Sequence, residues 1–331
     1  MHAGHKESFQ VKDGEDRLRV DVFVSLHLDD VSRAQAKRWI EEGRVAIGGK
    51  VVRPSRLCRA GEEIEVSVPA PLPAQPLPEN IPLEILYEDR HIVVVNKRPG
   101  MVVHPAPGHH SGTLVNALLA HTSDLSGIGG VRRPGIVHRL DAGTSGAIVV
   151  AKNDRAHRGL AAQFQERRVE KRYLALVHGT TPERLSIESA IGRDVRHRTR
   201  ISSRTRSPRE AKSEVRRIEP LPLSSLLEIR ILTGRTHQIR VHLSESGYPV
   251  VGDRDYGAPG PRARAPAREA DAFRLLRELG RPALHALVLG FEHPESGERL
   301  RLEAPVAGDL EELIEKLRRI RDRENNAQVD E

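Results

Sequence analysis

One acidic residue stands out for its place in the chain. Asp141 follows His138 and Arg139 on a glycine-bounded loop that leads directly into the apolar run Ala147–Val150. A short apolar run of this kind indicates a buried strand, and a loop anchored on such a strand can hold a carboxylate rigidly against a ligand. A solvated aspartate beside an arginine is the plainer interpretation, and this string of residues does not decide between the two.

Positive charge is concentrated in two segments of the chain. The 331 residues include 53 lysines and arginines against 46 aspartates and glutamates, which gives a net charge of +7. Segments 32–59 and 193–217 are both rich in basic residues and poor in acidic ones. A polyanionic partner requires clustered charge, so nucleic acid is the leading candidate. A solvated basic surface is the alternative.

Several classes of protein are excluded by what the sequence lacks. Cys58 is the single cysteine, so a disulfide framework or a multi-cysteine metal site cannot form. The histidine spacings do not resemble a zinc site. Apolar runs such as Ile92–Val95 fall far short of the ~20 residues of a membrane span, and Met1–Lys6 lacks the apolar region of a signal peptide. We therefore expect a cytoplasmic protein with no metal and no membrane partner.

The chain divides at a proline-rich stretch. Segment 69–80 is expected to be an extended linker, because prolines recur throughout it. Before it, residues 1–16 are polar and expected to be disordered, and residues 17–68 are expected to form a small αβ domain. After it, residues 81–305 mix short apolar strands with helices without regular βαβ spacing, which favours an α+β fold. Residues 306–331 are expected to form a charged helix and tail.

The small domain has a recognisable order of elements. Apolar residues alternate from Leu18 to Leu26, and Ser32 is typical of a helix N-cap. The helix that follows carries Trp39 and Ile40 on its apolar face. Two short apolar segments on either side of Gly48-Gly49 then indicate a β-hairpin.

This order of features resembles the S4 RNA-binding domain over residues 17–68. The matching strings are Ser32–Gln35, Ile40–Val45, Lys50–Ser55 and Ala60–Ile64. The resemblance implies that the cationic side of the helix and the hairpin contact phosphates of structured RNA. The residues expected to bind RNA are Ser32, Arg33, Lys37, Arg38, Lys50 and Arg53. An ordinary helix–hairpin module with a solvated basic face is the alternative.

The longer part of the chain, about residues 81–305, resembles the RluA/RluD family of RNA pseudouridine synthases. His138–Asp141 together with Thr144–Gly146 looks like the signature loop of that family. Further similar blocks are Asn96–Pro105, Glu170–Val177, Leu232–His242, Val251–Asp253 with Tyr256-Gly257, and Leu284–Ala286. One departure is Ala142-Gly143, where the family often has a polar or acidic pair. The resemblance implies the pseudouridine synthase fold, a central mixed and mainly antiparallel β-sheet with flanking helices and loops.

The reaction implied by this resemblance converts uridine to pseudouridine in RNA without a cofactor. The N1–C1′ bond breaks, the base turns, and C5 bonds to C1′. A carboxylate near C1′ can attack that carbon or stabilise developing positive charge on the sugar. It could instead remove the C2′ proton to form a glycal, and the sequence leaves both routes open.

The resemblance also assigns roles to four residues. Asp141 is expected to supply the carboxylate and Arg235 its guanidinium partner. Tyr173 is expected to hold the base and to accept or relay the C5 proton. Arg139 is expected to fill the gap that the flipped uridine leaves, with a phosphate clamp as its alternative role.

The substrate implied by the RluD branch is large-subunit (23S) ribosomal RNA. Transfer RNA or another ribosomal site is the alternative substrate. Two other functions are a non-catalytic RNA-binding or assembly protein and an N-glycosylase that releases free uracil. A monomer is expected.

Overall fold

A computed structural model describes residues 5–28, 31–69, 76–106, 108–122, 125, 127, 134–197, 199–257 and 269–329, with side chains up to residue 326. The chain separates into two compact units, Met1–Pro73 and Ala74–Glu331. The division falls inside the proline-rich segment 69–80. Part of that segment belongs to the second unit, because Asn116 Nδ2 donates to the Leu77 carbonyl at 2.7 Å and Glu79 N donates to the Asn116 carbonyl at 2.9 Å.

The first unit is a small αβ domain. Its elements are β1 (His5–Gln10), α1 (Val20–His27), α2 (Arg33–Glu41), β2 (Val45–Ile47), β3 (Lys50–Val51) and β4 (Glu63–Val68). The strands form an antiparallel sheet in the order β1-β4-β2-β3. Both helices contribute to its core, α1 through Phe23 and Val24, and α2 through Trp39 and Ile40. The Ser32 side chain caps α2 by accepting from Gln35 N at 3.3 Å, as the sequence predicts.

Two features of this unit differ from the sequence-based expectation. The segment predicted to be disordered, 1–16, contains β1, which pairs with β4 along its whole length; residues 1–4 lie outside the described residues. The alternating stretch Leu18–Leu26 is largely helical, since Val20, Phe23 and Val24 recur at helical spacing and are fully buried. Burial against the sheet therefore decides the structure of this stretch, and the alternation does not.

The second unit is built on one large sheet. Its elements are β5 (Glu84–Glu88), β6 (Ile92–Lys97), α3 (Leu114–His121), β7 (Ser145–Ala151), α4 (Asp154–Gln165), β8 (Glu170–His178), β9 (Arg184–Glu188), β10 (Gly192–Arg193), β11 (Ile201–Ser202), β12 (Lys212–Leu221), β13 (Ser224–Ile231), α5 (Gln238–Glu245), α6 (Ala270–Glu278), β14 (Leu284–Glu292), β15 (Arg299–Glu303) and α7 (Gly308–Val329). The strand order is β5-β6-β7-β14-β8-β13-β12-β9, and β15 also pairs with β14. Only β7 and β14 run parallel among these described pairs, so the predicted mixed, mainly antiparallel sheet is confirmed.

The centre of this sheet is covered on both faces. In β6, Val93 and Val95 pack into the larger core, whereas Ile92 and Val94 pack into a second core on the other face. Both runs of apolar residues that the sequence shows, Ile92–Val95 and Ala147–Val150, are therefore continuous because each face of their strands is buried. Because both faces of β7 are buried, this strand gives the loop before it a rigid point of attachment.

Side-chain caps begin two helices of the second unit. Thr113 caps α3 in a reciprocal capping box with Asn116, and Asn153 caps α4. The predicted charged helix of residues 306–331 corresponds to α7. In the described part of the chain, no helix has the length and apolar character needed to cross a membrane.

Candidate active site

All four residues that the sequence assigns to catalysis line one small cavity in the second unit. Its volume is about 60 Å³. The lining residues are Arg139, Leu140, Asp141, Thr144, Tyr173, Ile231, Arg235, His237, Gln238, Ile239, Arg240 and Leu284. The side chains come from the loop before β7, from β8, from the end of β13, from the start of α5 and from β14. Distant blocks of the sequence thus meet at one carboxylate, that of Asp141.

The loop that carries Asp141 is held through its backbone carbonyls. The Ala142 carbonyl accepts from Gly100 N at 2.8 Å and from Lys97 Nζ at 3.2 Å. The Gly143 carbonyl accepts from Arg281 Nη1 at 3.2 Å. A Cβ atom at Gly143 would lie 2.8 Å from Pro282 Cδ, so a larger residue at this position requires Pro282 to shift. These contacts place the loop independently of its exposed side chains.

Lys97 is fully buried beneath this loop. Its Nζ atom donates to the carbonyls of Arg98, Met101 and Ala142 at 3.0, 2.9 and 3.2 Å, which matches three donors to three acceptors. Burial lowers the pKa of Lys97 to about 7, and the charge of Asp141 partly opposes that shift. Lys97 therefore joins β6 to the loop by hydrogen bonds.

The guanidinium group that reaches Asp141 differs from the predicted one. Arg240 Nη1 lies 3.3 Å from Asp141 Oδ2, whereas Arg235 Nε donates to the Glu210 carbonyl at 3.1 Å. Arg235 lines the cavity, but the predicted pairing of its guanidinium group with Asp141 is not present. Both arginines lie in the block Leu232–His242, so the sequence located the segment but not the side chain.

Arg240 is itself fixed by a buried network. Its Nε and Nη2 atoms donate to the two carboxylate oxygens of Asp253 at 2.6 and 2.8 Å, and Nη2 also donates to Asp255 at 2.8 Å. Burial alone would lower the pKa of Arg240, but the hydrogen bonds and charge of Asp253 outweigh it and raise the pKa. The cation beside Asp141 is therefore permanent and its position is set by a bidentate pair.

His237 also faces the carboxylate, and sequence reasoning did not select it. Its Nε2 atom lies 3.8 Å from Asp141 Oδ1, and its Nδ1 atom is 2.8 Å from Tyr256 Oη. The residue has φ of +54° at the start of α5, a conformation that is uncommon for a side chain other than glycine. Burial lowers the pKa of His237, while the charge of Asp141 opposes this shift.

Tyr173 presents its ring to the cavity from β8. The side chain is largely buried in the main core, and burial, followed by the charge of Asp141, raises the pKa of its hydroxyl well above the ordinary value. Tyr173 therefore keeps its proton at neutral pH. A neutral aromatic face beside a carboxylate is suited to stacking on a planar base.

The first two residues of the signature string, His138 and Arg139, have different environments. His138 is packed against Phe164 with 4.5 Å between ring centroids, and its Nε2 atom accepts from Val149 N at 3.0 Å. Burial, and then the charge of Lys171, lowers the pKa of His138 to about 3, so a neutral imidazole ties the loop to β7. Arg139, in contrast, is exposed at the rim of the cavity.

The residues predicted to bind RNA lie on the surface of the first unit. All six are exposed. Arg33 is 3.1 Å from Asp21, Lys37 is 3.7 Å from Glu41 and Arg38 is 2.9 Å from Glu42. Ser32 is occupied as the cap of α2. Lys50 and Arg53 have no ion-pair partner among the residues described, so the hairpin offers the least compensated charge.

Neither unit contains, in its described residues, a group of histidine, cysteine and carboxylate side chains that could hold a metal ion. The site offers a chemistry built from one carboxylate, one fixed cation, one imidazole and one aromatic face. These are the groups needed for attack at, or proton removal from, a sugar.

Comparison with known proteins places both units. A family profile described as RNA pseudouridylate synthase matches residues 91–245, and one described as S4 domain matches residues 18–64. A protein of Bacillus subtilis named uncharacterized RNA pseudouridine synthase YlyB is 43% identical over 91% of this chain and 94% of its own length. The ribosomal large subunit pseudouridine synthase D of Zymomonas mobilis is 43% identical over 90% of this chain and 93% of its own length.

A solved structure agrees with these matches. Human RNA pseudouridylate synthase domain containing 1 aligns with a TM-score of 0.52 and 28% identity, over 72% of this chain and 96% of that one. With the signature loop, the cavity and the two domain matches together, the chain belongs to the RluA/RluD family of RNA pseudouridine synthases and carries an N-terminal S4 domain.

Proposed function

We propose that this enzyme modifies uridines of large-subunit ribosomal RNA and that Asp141 is its catalytic carboxylate. The observation that carries the proposal is the convergence of Asp141, Tyr173, Arg235 and Arg139 on one cavity. The ribosomal target is supported by relatives named ribosomal large subunit pseudouridine synthase D, including those of Zymomonas mobilis and Neisseria meningitidis.

The geometry supports a division of labour within the site. Asp141 faces C1′ or the C2′ proton of an extruded uridine, and both routes require the same ionised carboxylate. Arg240 keeps that carboxylate in place, and Tyr173 supports the base while it turns. The reaction balances without an external reagent, because the N1–C1′ bond is replaced by a C5–C1′ bond and the C5 proton is lost as N1 gains one.

Entry of the nucleotide requires more space than this cavity provides. Its 60 Å³ is well below the roughly 300 Å³ of the smallest ordinary ligand pockets. The exposed Arg139 is the lining side chain best able to move outward, and once displaced it is available to fill the place of the flipped base. Proposed recognition by the S4 unit adds phosphate contacts through Arg33, Lys37, Arg38, Lys50 and Arg53, with Ser32 shaping the helix end.

The test is to map pseudouridine in transcribed large-subunit ribosomal RNA and transfer RNA after incubation with the purified enzyme. We expect modification in ribosomal RNA, and none with Asp141→Asn. Asp271→Asn is the matched control, because Asp271 is an exposed carboxylate on α6, and it should retain activity. Pseudouridine in transfer RNA alone would overturn the target, and an active Asp141→Asn variant would overturn the catalytic assignment. Release of free uracil would identify a glycosylase, and RNA binding without product a non-catalytic protein.

A further inference from the structure

A second and larger cavity adjoins the candidate active site. Its volume is about 610 Å³, within the roughly 300–1,000 Å³ range of small-molecule pockets. It is formed by segments 191–195 and 201–209 together with Arg235 and Thr236. Arg235 lines both cavities. A strand that places one nucleotide beside Asp141 therefore has this cavity as its neighbour.

Three guanidinium groups of this cavity are available for an anion. Arg193, Arg206 and Arg209 line it and are exposed, and no carboxylate of a described residue lies within 4.0 Å of them. Many other arginines of the second unit are neutralised, as Arg167 is by Glu210 at 2.8 Å. Hence the cavity, which we call the arginine pocket, concentrates positive charge that the protein itself does not compensate.

Asp194, the one acidic residue among those that line the arginine pocket, has a structural role. Asp194 is buried, and its carboxylate accepts from Arg196 N and His197 N at 2.8 Å each and from Ser202 Oγ at 2.7 Å. The hydrogen bond from Ser202 contributes most to lowering the pKa of Asp194. Asp194 therefore stays ionised and shapes the β10–β11 hairpin, rather than pairing with Arg193, Arg206 or Arg209.

The arginine pocket also has an apolar surface. Val195 is 48% exposed, and it lines the cavity together with Ile201. An exposed aliphatic side chain beside several cations suits a ligand that has both a flat apolar face and a phosphate. A nucleotide has this combination.

Hydrogen bonds connect the arginine pocket to His237, which faces the carboxylate of Asp141. Ile201 N donates to Tyr256 Oη at 2.9 Å, and Tyr256 Oη is 2.8 Å from His237 Nδ1. Because Tyr256 Oη accepts from Ile201, its own proton can be donated to Nδ1, and the proton of neutral His237 is then on Nε2, facing Asp141. A ligand that presses on Ile201 thus acts on a side chain 3.8 Å from the catalytic carboxylate.

We propose that the arginine pocket binds a nucleotide flanking the target uridine, with its phosphate on the three guanidinium groups and its base against Val195 and Ile201. The inference rests on the proposed function, since it assumes that an RNA strand enters the catalytic cavity. It assigns to this pocket a share of substrate recognition that the S4 unit does not supply.

The charge is tested by the double variant Arg193→Ala/Arg209→Ala, with Arg158→Ala/Arg319→Ala as the matched control, since Arg158 and Arg319 are exposed and lie outside both cavities. The dissociation constant for transcribed large-subunit ribosomal RNA is measured over a series of salt concentrations. The first pair should bind at least about 10-fold more weakly and lose up to about 0.7 from the salt slope, which is the contribution of one single-stranded phosphate. The control pair and Arg193→Lys/Arg209→Lys should keep the wild-type slope. Equal slopes for the two alanine pairs would overturn the inference.

The base is tested with RNA that lacks a base on one side of the mapped target uridine. Wild-type enzyme should bind one of the two abasic RNAs more weakly than intact RNA, and Val195→Asp should show no additional loss with that RNA. If neither abasic RNA binds more weakly to wild-type enzyme, the arginine pocket does not hold a nucleotide base. A wild-type enzyme that makes no pseudouridine would count against the proposed function, whereas an active enzyme with an unchanged slope in the arginine variants would count only against this inference.

Discussion

Replacement of Arg240 by methionine tests the central electrostatic claim about the site. The side chain is 7% exposed and serves three carboxylates, those of Asp253, Asp255 and Asp141. Methionine fills a similar volume but offers no donor. The change therefore leaves Asp253, whose side chain is fully buried, as an uncompensated charge.

The expected cost follows from these contacts. Removing one partner of a buried ion pair costs about 3–5 kcal/mol. Asp253 retains two backbone hydrogen bonds, from Asp255 N at 3.0 Å and Tyr256 N at 3.1 Å, and Asp255 is 59% exposed, so its loss adds little. We therefore expect Arg240→Met to lower the free energy of unfolding by about 3 kcal/mol, the lower end of that range. Activity should fall about 100-fold, because Asp141 loses its anchor.

The assay is urea unfolding followed by far-ultraviolet circular dichroism. Trp39 is the only tryptophan of the chain and lies in the core of the first unit, so its fluorescence reports the unfolding of that unit. The midpoint of the fluorescence transition should be the same in Arg240→Met and wild type. The double variant Arg240→Met/Asp253→Asn should recover part of the loss, since it removes the stranded charge. Arg240→Lys should preserve more stability than Arg240→Met yet remain impaired in catalysis, because lysine cannot form the planar bidentate pair.

An Arg240→Met variant whose free energy of unfolding lies within about 0.5 kcal/mol of wild type and which retains full activity would contradict this role of Arg240. A loss of stability that the Asp253→Asn change does not reduce would show that packing, rather than charge, sets the role of Arg240.

Three further outcomes are expected. The pKa of His138 is about 3 in the folded protein against 6.5 ordinarily, so above pH 6.5 the side chain is neutral in both states, whereas between pH 6.5 and 3 only the unfolded chain binds a proton there. This group alone therefore lowers the free energy of unfolding by about 1.4 kcal/mol per pH unit in that window. The difference in stability between wild type and His138→Gln should narrow as the pH falls, and a difference independent of pH would contradict the low pKa. Arg281→Ala removes the donor to the Gly143 carbonyl and should lower kcat about 10-fold with less effect on KM, in steady-state assays on ribosomal RNA; an effect on KM alone would argue against a role in placing the loop. Deletion of residues 1–10 removes β1 from the edge of β4 and should move the Trp39 fluorescence transition to lower urea concentration, whereas an unchanged midpoint would show that β1 does not stabilise the first unit.

The sequence predicts the scaffold of the second unit well, because its signals are local. Continuous apolar runs such as Ile92–Val95 mark strands buried on both faces. The segment His5–Gln10 is mostly polar and therefore carries no such signal. Its strand exists through pairing with β4, a long-range contact that local pattern does not encode.

The candidate site is predictable in its segments but not in all its contacts. The position of Asp141 before a buried strand and the similar blocks around Tyr173 and Arg235 select residues that line one cavity. Which of the two arginines, Arg235 or Arg240, reaches Asp141 depends on the direction that each side chain takes near the start of α5. That direction is set by His237 in its left-handed conformation and by Asp253 from another segment, and neither effect is visible in a linear pattern.

The way in which the loop before β7 is held determines which of its positions can vary. Because the attachment points are the carbonyl oxygens of residues 142 and 143, they are present whatever side chain occupies position 142, and Ala142 itself is exposed. Position 143 is more constrained in this chain, since a Cβ atom there would lie 2.8 Å from Pro282 Cδ and the proline would have to shift. Ala142 thus leaves the backbone around Asp141 unchanged, whereas the polar or acidic residue that the family often has at position 143 requires Pro282 to lie farther from this loop than it does in this chain.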